Sequence, residues 1–262
     1  MPASDLAPIA ATLISAVRDA GVLALKTFKG DALKHWTKAG DSPVSEADMA
    51  VDALLKQRLA MPGIGWLSEE TEDNVARLEA RRVWIADPID GTRSYIAGLP
   101  DWTIAVGLVE EGRPILGCVF APVTDEMFFA QAGKGATCNG VKMSVVDSQS
   151  LDGARFNGPR RLMEDLQKLQ PKAEVLPRVH SLALRFSRVA QGQIDVACST
   201  PNSKDWDLAA ADLLVHEAGG LLTSPAGEPV LYNRVDSSHG PLVAAGRLRS
   251  PAVWKLLAER QT

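Results

Sequence analysis

Two carboxylates stand three residues apart where an apolar segment of the chain ends. The sequence there reads Asp87-Pro88-Ile89-Asp90-Gly91-Thr92. Two anions held this close need a cation between them, because like charges otherwise force one carboxyl group to protonate. Oxygen ligands of this kind suit Mg²⁺, which takes one or two carboxylates and leaves room for a substrate phosphate. The following glycine lets backbone approach a ligand closely; the alternative is an ordinary acidic turn after a strand.

Two other segments place carboxylates beside apolar stretches. Glu69 and Glu70 follow the short apolar stretch Gly65–Leu67, and Asp207 stands at the start of an amphipathic helix. Each has an ordinary structural explanation, which is a solvated acidic surface for Glu69 and helix capping for Asp207. Considered singly these segments are not specific, so their meaning depends on all three occurring in one chain.

Taken together, the three segments resemble the signatures of the inositol monophosphatase superfamily, the lithium-sensitive Mg²⁺-dependent phosphomonoesterases. Glu69-Glu70 corresponds to the paired-glutamate motif, and the segment from Asp87 to Thr92 corresponds to the central signature. The C-terminal signature is matched by Trp206-Asp207-Leu208-Ala209-Ala210-Ala211, with Glu217-Ala218-Gly219-Gly220 following. The match covers essentially the whole chain in the family's order. It implies an α/β (α+β) fold, a five-layered αβαβα sandwich, and a homodimer.

The resemblance also implies a site that holds two to three Mg²⁺ ions. The implied ligands are Glu69, Asp87 and the carbonyl of Ile89 for the first ion, and Asp87, Asp90 and Asp207 for the second. A third, weaker ion would contact Glu69 near a mobile loop that bears Lys38 and Asp48. Glu69, Thr92 and Asp48 are the implied catalytic residues, with Glu69 and Thr92 positioning the attacking water. Two metal ions can clamp the attacking and leaving oxygens of an in-line displacement.

The substrate is where the sequence departs from the inositol-specific pattern. Inositol enzymes have a glutamate seven residues before the C-terminal metal aspartate, and this chain has Thr200 there. Three segments look more like 3'(2'),5'-bisphosphate nucleotidases: Lys38–Asp48, Leu67–Glu70 and Ser181–Phe186. The predicted substrate-binding residues are Gly91 and Thr92 for the cleaved phosphate and, for a second phosphate or the rest of the substrate, Arg185, Lys204, Thr200, Arg160 and Arg161. Arginine suits this role because it grips phosphate bidentately.

The expected reaction is therefore hydrolysis of a small phosphorylated metabolite, with adenosine 3',5'-bisphosphate converted to AMP and phosphate as the leading case. Inositol-1-monophosphatase activity is the main alternative. Fructose-1,6-bisphosphatase activity, histidinol-phosphate phosphatase activity and a non-catalytic phosphate-ligand sensor also stay open.

Hydrophobic periodicity predicts the elements that must position these residues. The predicted helices cover Leu6–Phe28, a segment starting near Ser45, Arg161–Leu169, Leu182–Gln191 and Leu208–Ala218. A strand over Arg82–Ala86 carries the central motif. Strands over Trp102–Val109, Ile115–Phe120 and Glu126–Ala130 are separated by turn signals, which predicts an antiparallel meander.

The pattern of predicted elements changes near Ser148. After this residue strands and helices alternate, as is typical of an α/β arrangement. We therefore expect an N-terminal α+β half over residues 1–147 that carries most metal ligands. A C-terminal α/β half over residues 148–262 would carry Asp207 and the specificity residues.

Composition excludes several partner classes. The chain has 262 residues, is 46% hydrophobic and has a net charge of −4, whereas a general nucleic-acid binder is usually basic. The spacing of the three cysteines is not that of metal ligands. We expect them to pack as small apolar side chains of a protein in a reducing compartment. Neither a secretory signal nor an apolar run of membrane-spanning length is evident. We expect a cytoplasmic protein whose partner is a small molecule, with no membrane or nucleic-acid polymer.

Overall fold

The computed structural model describes residues 6–30, 33–38, 43–146 and 148–260, so Ala39 to Ser42 of the nucleotidase-like segment lie outside the described residues. The helices within these ranges are α1 (Leu6–Leu25), α2 (Glu46–Leu59), α3 (Thr92–Ile96), α4 (Arg160–Leu169), α5 (Leu182–Ala190), α6 (Asp205–Glu217) and α7 (Ser250–Glu259), with a 3-10 helix at Val75–Glu79. The strands are β1 (His35–Thr37), β2 (Pro43–Ser45), β3 (Ile64–Ser68), β4 (Arg82–Asp90), β5 (Thr103–Glu110), β6 (Arg113–Ala121), β7 (Glu126–Gln131), β8 (Gly135–Cys138), β9 (Val141–Lys142), β10 (Arg155–Asn157), β11 (Glu174–Val175), β12 (Val196–Cys198), β13 (Ser203–Lys204), β14 (Gly220–Thr223), β15 (Ser238–His239) and β16 (Val243–Gly246).

These elements stack in five layers. Helices α1 and α2 cover one face of a seven-stranded sheet of order β3-β4-β5-β6-β7-β8-β9. Helices α5 and α6 lie between this sheet and a five-stranded sheet of order β11-β10-β12-β16-β14. Helices α4 and α7 cover the outer face of the second sheet. The predicted αβαβα sandwich is confirmed.

The strand pairing follows the predicted meander. Strands β4 to β9 pair antiparallel with their neighbours in chain order, and β3 joins β4 in parallel. Both faces of this sheet are covered by helices, so a central strand such as β5, buried from Thr103 to Val109, is a continuous apolar run rather than an alternating one. The two large sheets draw on different halves of the chain, but the division into domains at residue 147 stays a prediction.

Several boundaries differ from those predicted. Helix α6 begins at Asp205, which places Asp207 inside its first turn, and α1 ends at Leu25. Strand β4 does not stop at Ala86 but continues to Asp90, because the chain keeps pairing with β5 through an irregularity in register. The central motif is therefore part of a sheet rather than a loop after it.

Helix α1 differs from expectation in another respect. By length and composition alone it could cross a membrane, although no such segment was predicted. In the fold, Leu13, Val17 and Ala20 of this helix are fully buried in the core that α1 shares with α2 and the seven-stranded sheet. Such packing is what a core helix requires, and it accounts for the apolar composition of α1.

Helix α6 lies unusually close to the first sheet. A Cβ atom on Gly117 would come within 2.5 Å of the Ala210 carbonyl oxygen, and one on Gly107 would lie 3.2 Å from the Cβ of Ala209. Small residues on both surfaces allow this approach. The alanines that follow Asp207 thus have a packing role, which sets the depth at which Asp207 enters the site.

Candidate active site

The irregularity in β4 brings two carboxylates to the same side of the sheet. Asp87 pairs with Ala105 and Asp90 pairs with Thr103, so three steps along β4 match two along β5. Residues three apart on a regular strand point to opposite faces, and one extra residue reverses this relation. Pro88 fits such a position because it has no N–H to donate to the sheet. The Asp-Pro-Ile-Asp spacing therefore produces convergent carboxylates.

The residues after Asp90 turn sharply into α3. Gly91 has φ of +93°, and a Cβ there would lie 3.1 Å from the Asp101 carbonyl oxygen, so a side chain would be both strained and crowded. The buried Thr92 hydroxyl lies 3.0 Å from the Ile89 carbonyl oxygen and 3.1 Å from Asp48 Oδ1. Both oxygens are acceptors for its single proton, which ties the central motif to α2.

Asp48 is itself held by a capping box at the start of α2. Its Oδ2 accepts hydrogen bonds from the Ser45 backbone N–H (2.8 Å) and from the Ser45 hydroxyl (2.5 Å). The box forms although its fourth residue is aspartate rather than glutamate. Burial raises the pKa of Asp48, and the hydrogen bonds from Ser45 and Thr92 oppose that rise.

Asp90 is anchored by the N-terminus of α5. Its Oδ2 accepts hydrogen bonds from the Ser181 hydroxyl (2.5 Å) and from the Ala183 backbone N–H (2.6 Å). These bonds orient the carboxylate and offset part of the rise in its pKa that burial causes. Since both bonds are to Oδ2, the other oxygen can face a cation.

Asp87, Asp90 and Asp207 form a compact cluster, with one oxygen atom from each lying within 4.8 Å of the others. Asp207 is oriented by the first turn of α6, where its Oδ2 accepts the Lys204 backbone N–H at 2.7 Å. Burial raises the pKa of Asp87 and of Asp207 well above the usual value, and the neighbouring carboxylates add to the rise. Asp87 Oδ1 is buried without a hydrogen-bond partner among the described residues. Uncompensated oxygen ligands of this kind fit Mg²⁺.

Glu69 lines the same cleft as the three aspartates. Burial raises its pKa to about 7, although the positive charge of Lys38 opposes the rise. The Lys38 ammonium lies 3.7 Å from Glu69 Oε1 and donates to both oxygens of Glu70 at 2.7 Å. The paired glutamates thus differ in environment, because Glu70 accepts two hydrogen bonds from Lys38, whereas Glu69 has a longer ion pair with the same lysine and lines the cleft.

The cleft around these carboxylates has a volume of about 210 Å³. Its lining is Pro43, Glu69, Asp87, Ile89, Asp90, Gly91, Thr92, Arg93, Arg178, His180 and Asp207. Arg93 and Arg178 were not predicted as site residues. The position of Arg93 directly after the central motif was a usable signal, and Arg178 lies three residues before the nucleotidase-like segment Ser181–Phe186. His180 also lines the cleft, and its Nδ1 pairs with Asp101 Oδ2 at 2.7 Å.

The structure places Arg185, which was predicted to contact the substrate, outside the cleft lining. Its side chain is buried, and its guanidinium donates to the backbone carbonyls of Val179 and Cys198. Burial lowers the pKa of Arg185 to about 10. Its N–H groups therefore hold the protein backbone and not a ligand.

Of the other predicted substrate residues, Gly91 and Thr92 line the cleft, whereas those predicted for a second phosphate or the rest of the substrate lie outside its lining. Arg160 has a side chain that is 90% exposed and pairs with Glu164 on the surface of α4. Arg161 and Thr200 are exposed as well. The Lys204 ammonium donates to the Ser238 hydroxyl at 2.5 Å. The arginines in the cleft lining are instead Arg93 of α3 and Arg178 of the segment before α5.

Comparison with known proteins identifies the family. Residues 5–260 match the model of the inositol monophosphatase family. The chain belongs to this family. It is 35% identical over 207 residues to a histidinol-phosphatase of Mycobacterium tuberculosis, covering 73% of this chain and 77% of that protein. It is 33% identical over 196 residues to an inositol-1-monophosphatase of Rhizobium meliloti, covering 70% and 73%.

A solved structure of an IMPase/NADP phosphatase complexed with Mg²⁺ and phosphate superimposes with a TM-score of 0.84 at 26% identity, covering 97% of this chain and 96% of that one. As a member of this family, the chain is a Mg²⁺-dependent phosphatase. These relatives differ in the substrates that their names state, so membership defines the reaction class and the metal ion but not the phosphorylated metabolite.

Proposed function

We propose that this phosphatase removes one phosphate from a small metabolite that carries a second phosphate, with adenosine 3',5'-bisphosphate as the leading substrate. The observation that carries the proposal is the charge pattern of the cleft, where a carboxylate cluster lies beside Arg93 and Arg178. Carboxylates suit the metal ions, whereas arginines suit phosphate oxygens. We further propose a cytoplasmic homodimer, as the family resemblance implies.

Each carboxylate has a distinct role in this proposal. Glu69, Asp87 and the Ile89 carbonyl would hold one Mg²⁺ ion, and Asp87, Asp90 and Asp207 would hold a second. A third ion would depend on Glu69. When bound, Mg²⁺ makes a water ligand easier to deprotonate and neutralises charge on the phosphate.

The protein's own hydrogen bonds would position the attacking water. When Thr92 donates its proton to Asp48, the lone pairs of its hydroxyl oxygen remain available to accept a hydrogen bond from water. Glu69 would accept a second hydrogen bond from the same molecule. The backbone amides of Gly91 and Thr92 would hold the phosphate at the start of α3. Positioning and charge neutralisation supply most of the catalysis in phosphoryl transfer.

Inositol 1-phosphate is the alternative substrate, favoured by the relatives that bear the name inositol monophosphatase. Thr200 counts against it, because the carboxylate that accepts inositol hydroxyl protons in those enzymes is absent at this position. Loss of a charged hydrogen-bond partner costs about 1.5–3 kcal/mol, or roughly a tenfold to hundredfold loss in affinity.

A phosphate-release panel tests the proposal. The full chain with Mg²⁺ is assayed on adenosine 3',5'-bisphosphate, inositol 1-phosphate, fructose 1,6-bisphosphate and histidinol phosphate. We expect the highest kcat/KM on the nucleotide. A higher kcat/KM on inositol 1-phosphate would overturn the substrate assignment, and no turnover of any of the four would contradict the proposed reaction.

A further inference from the structure

Arg178 is one of the two arginines in the cleft lining. It lies on the segment from Pro177 to Ser181, which connects β11 to α5, and its exposed side chain lines the cleft with Asp90 and Asp207. Across the described residues, Arg178 makes no hydrogen bond or ion pair. An arginine at the mouth of a phosphate-cleaving site has five N–H donors available for a ligand.

Two buried side chains hold the backbone of the segment that carries Arg178. Asn157 donates to the Pro177 carbonyl at 2.6 Å and accepts the Val179 N–H at 3.4 Å. Arg185 donates through Nε to the Val179 carbonyl at 3.1 Å. Asn157 is fully buried and Arg185 is 3% exposed. The backbone on both sides of Arg178 is therefore held by the protein interior.

The same segment is fixed at its other end to the metal-binding region. The His180 backbone N–H donates to Asp101 Oδ2 at 2.7 Å, and the Ser181 N–H donates to the Asp101 carbonyl at 3.3 Å. Ser181 also bonds Asp90 through its hydroxyl. The backbone at Arg178 is thus held at a fixed position relative to the carboxylate cluster, and this preorganisation reduces the entropy lost when a ligand binds.

The positive charges of Arg178 and Arg185 also favour an anion at this position. Arg178 lies close enough to Arg185 for its positive charge to lower the pKa of Arg185, after the larger effect of burial. Two guanidinium groups in proximity repel each other, so an anion beside Arg178 would relieve the repulsion. In the proposed function the aspartate carboxylates of the cleft would hold Mg²⁺, which leaves the substrate as the source of that anion.

We propose that Arg178 forms a second anion subsite at the mouth of the cleft, which holds the phosphate of the substrate that is not cleaved. The inference rests on the proposed function, since it assumes that the first phosphate binds at the metal centre. Arg178 takes the role that was expected of Arg185, and Arg185 instead positions the segment that carries it.

Two nucleotides that differ only in the second phosphate provide the test. Adenosine 3',5'-bisphosphate and adenosine 3'-monophosphate present the same 3'-phosphate for cleavage, and only the first has a 5'-phosphate. Kinetics are measured for the wild type, R178A, R178K and the control R247A. Arg247 is an exposed arginine beside His216, at the end of α6 remote from Asp207.

We expect R178A to raise KM for the bisphosphate by roughly tenfold to a hundredfold, the range for a charge-assisted hydrogen bond, and to change KM for the monophosphate less than about twofold. R178K should retain part of the preference because it keeps the charge and loses the bidentate geometry. R247A should leave both substrates unchanged. Equal losses on both nucleotides, or no loss on either, would overturn the subsite.

Failure of the proposed reaction has a different signature. If the wild type turns over neither nucleotide with Mg²⁺, the nucleotide assignment is wrong. Calorimetric titration of the bisphosphate into wild type and R178A then decides the subsite directly. Weaker binding to R178A supports it, and equal or undetectable binding to both proteins contradicts it.

Discussion

Asp90 combines two tasks that are usually performed by different residues. Its Oδ2 caps α5 through Ser181 and Ala183, and its position in the carboxylate cluster makes it a candidate metal ligand. A neutral side chain of the same shape can still accept the capping hydrogen bonds, but it binds a hard dication poorly. The two tasks are therefore separable by a single substitution.

The substitution Asp90→Asn should abolish most turnover while leaving the fold intact. We expect kcat to fall on the order of a hundredfold or more, because a charged group that stabilises the transition state is lost. Phosphate release and the thermal unfolding midpoint are measured together. Near wild-type activity in this variant would show that the site is misassigned.

The geometry of the carboxylate cluster also predicts the response to other cations. Ca²⁺ prefers longer bonds and more ligands than an octahedral Mg²⁺ site offers, so it should inhibit when added over Mg²⁺. Li⁺ should inhibit as well, which the family resemblance implies. Steady-state rates with each ion provide the measurement. Full activity with Ca²⁺ as the sole divalent ion would contradict a tight two-metal clamp.

At the scale of elements, helix α6 and strands β5 and β6 act as one unit. The contact of Ala210 with Gly117 allows the helix axis to approach the sheet, and the first turn of the same helix carries Asp207. A change in the packing of α6 against the sheet would displace Asp207, a candidate metal ligand. Stability and metal binding should therefore change together when the contact is disturbed.

Gly117→Ala tests this coupling. The added Cβ would lie 2.5 Å from a backbone oxygen, so the helix must shift, at a cost of about 1–3 kcal/mol in the free energy of unfolding. We also expect weaker activation by Mg²⁺. The matched control is Gly240→Ala, where a Cβ meets nothing within 4 Å and the change should stay within about 0.5 kcal/mol. Equal urea midpoints for the two variants would refute the coupling.

Arg185 is a second determinant at this scale, because it joins the start of α5 to the end of β12 through the carbonyls of Val179 and Cys198. Arg185→Ala leaves these acceptors unpaired, and we expect a loss of about 2–4 kcal/mol in the free energy of unfolding. Chemical denaturation measures it. Because Arg185 holds the segment that carries Arg178, KM should rise more for bisphosphate than for monophosphate substrates. A rise in KM for the bisphosphate without any loss in the free energy of unfolding would restore Arg185 as a substrate contact.

At the scale of the whole molecule, a buried carboxyl group in the central helical layer links stability to pH. Asp212 on α6 accepts a hydrogen bond from the Tyr232 hydroxyl at 3.0 Å. Burial raises the pKa of Asp212 to about 6, although the charge of Arg113 and the Tyr232 hydrogen bond oppose the rise. Between about pH 4 and pH 6 the folded protein thus retains a proton that the unfolded chain releases.

The contribution of Asp212 to stability should therefore decrease as pH rises through this window and stay constant above it. The magnitude is on the order of 2–3 kcal/mol. Asp212→Asn removes the titration and keeps an acceptor for Tyr232. We expect the urea midpoint of this variant to depend less on pH between 4 and 6.5 than that of the wild type. Parallel pH profiles for the two proteins would count against the assignment.

The sequence by itself determined the residue types of the site, the family and the layered fold. Motifs such as Asp87 to Thr92 are contiguous, and a meander with turn signals between its strands is a local pattern, so both can be read without long-range information. The start of α2 near Ser45 was likewise predicted from the local pattern. The homodimer and the domain boundary remain predictions.

Only the tertiary structure decided which groups face the cleft. The register irregularity in β4 depends on pairing with β5, and it alone places Asp87 and Asp90 on one side. The partners of an arginine depend on chain segments that are distant in sequence. Arg185 meets the carbonyl of Cys198 and is buried, whereas Arg178, seven residues earlier, lies in the cleft without a protein partner among the described residues. Burial and long-range pairing fix such assignments, and neither is encoded in local residue patterns.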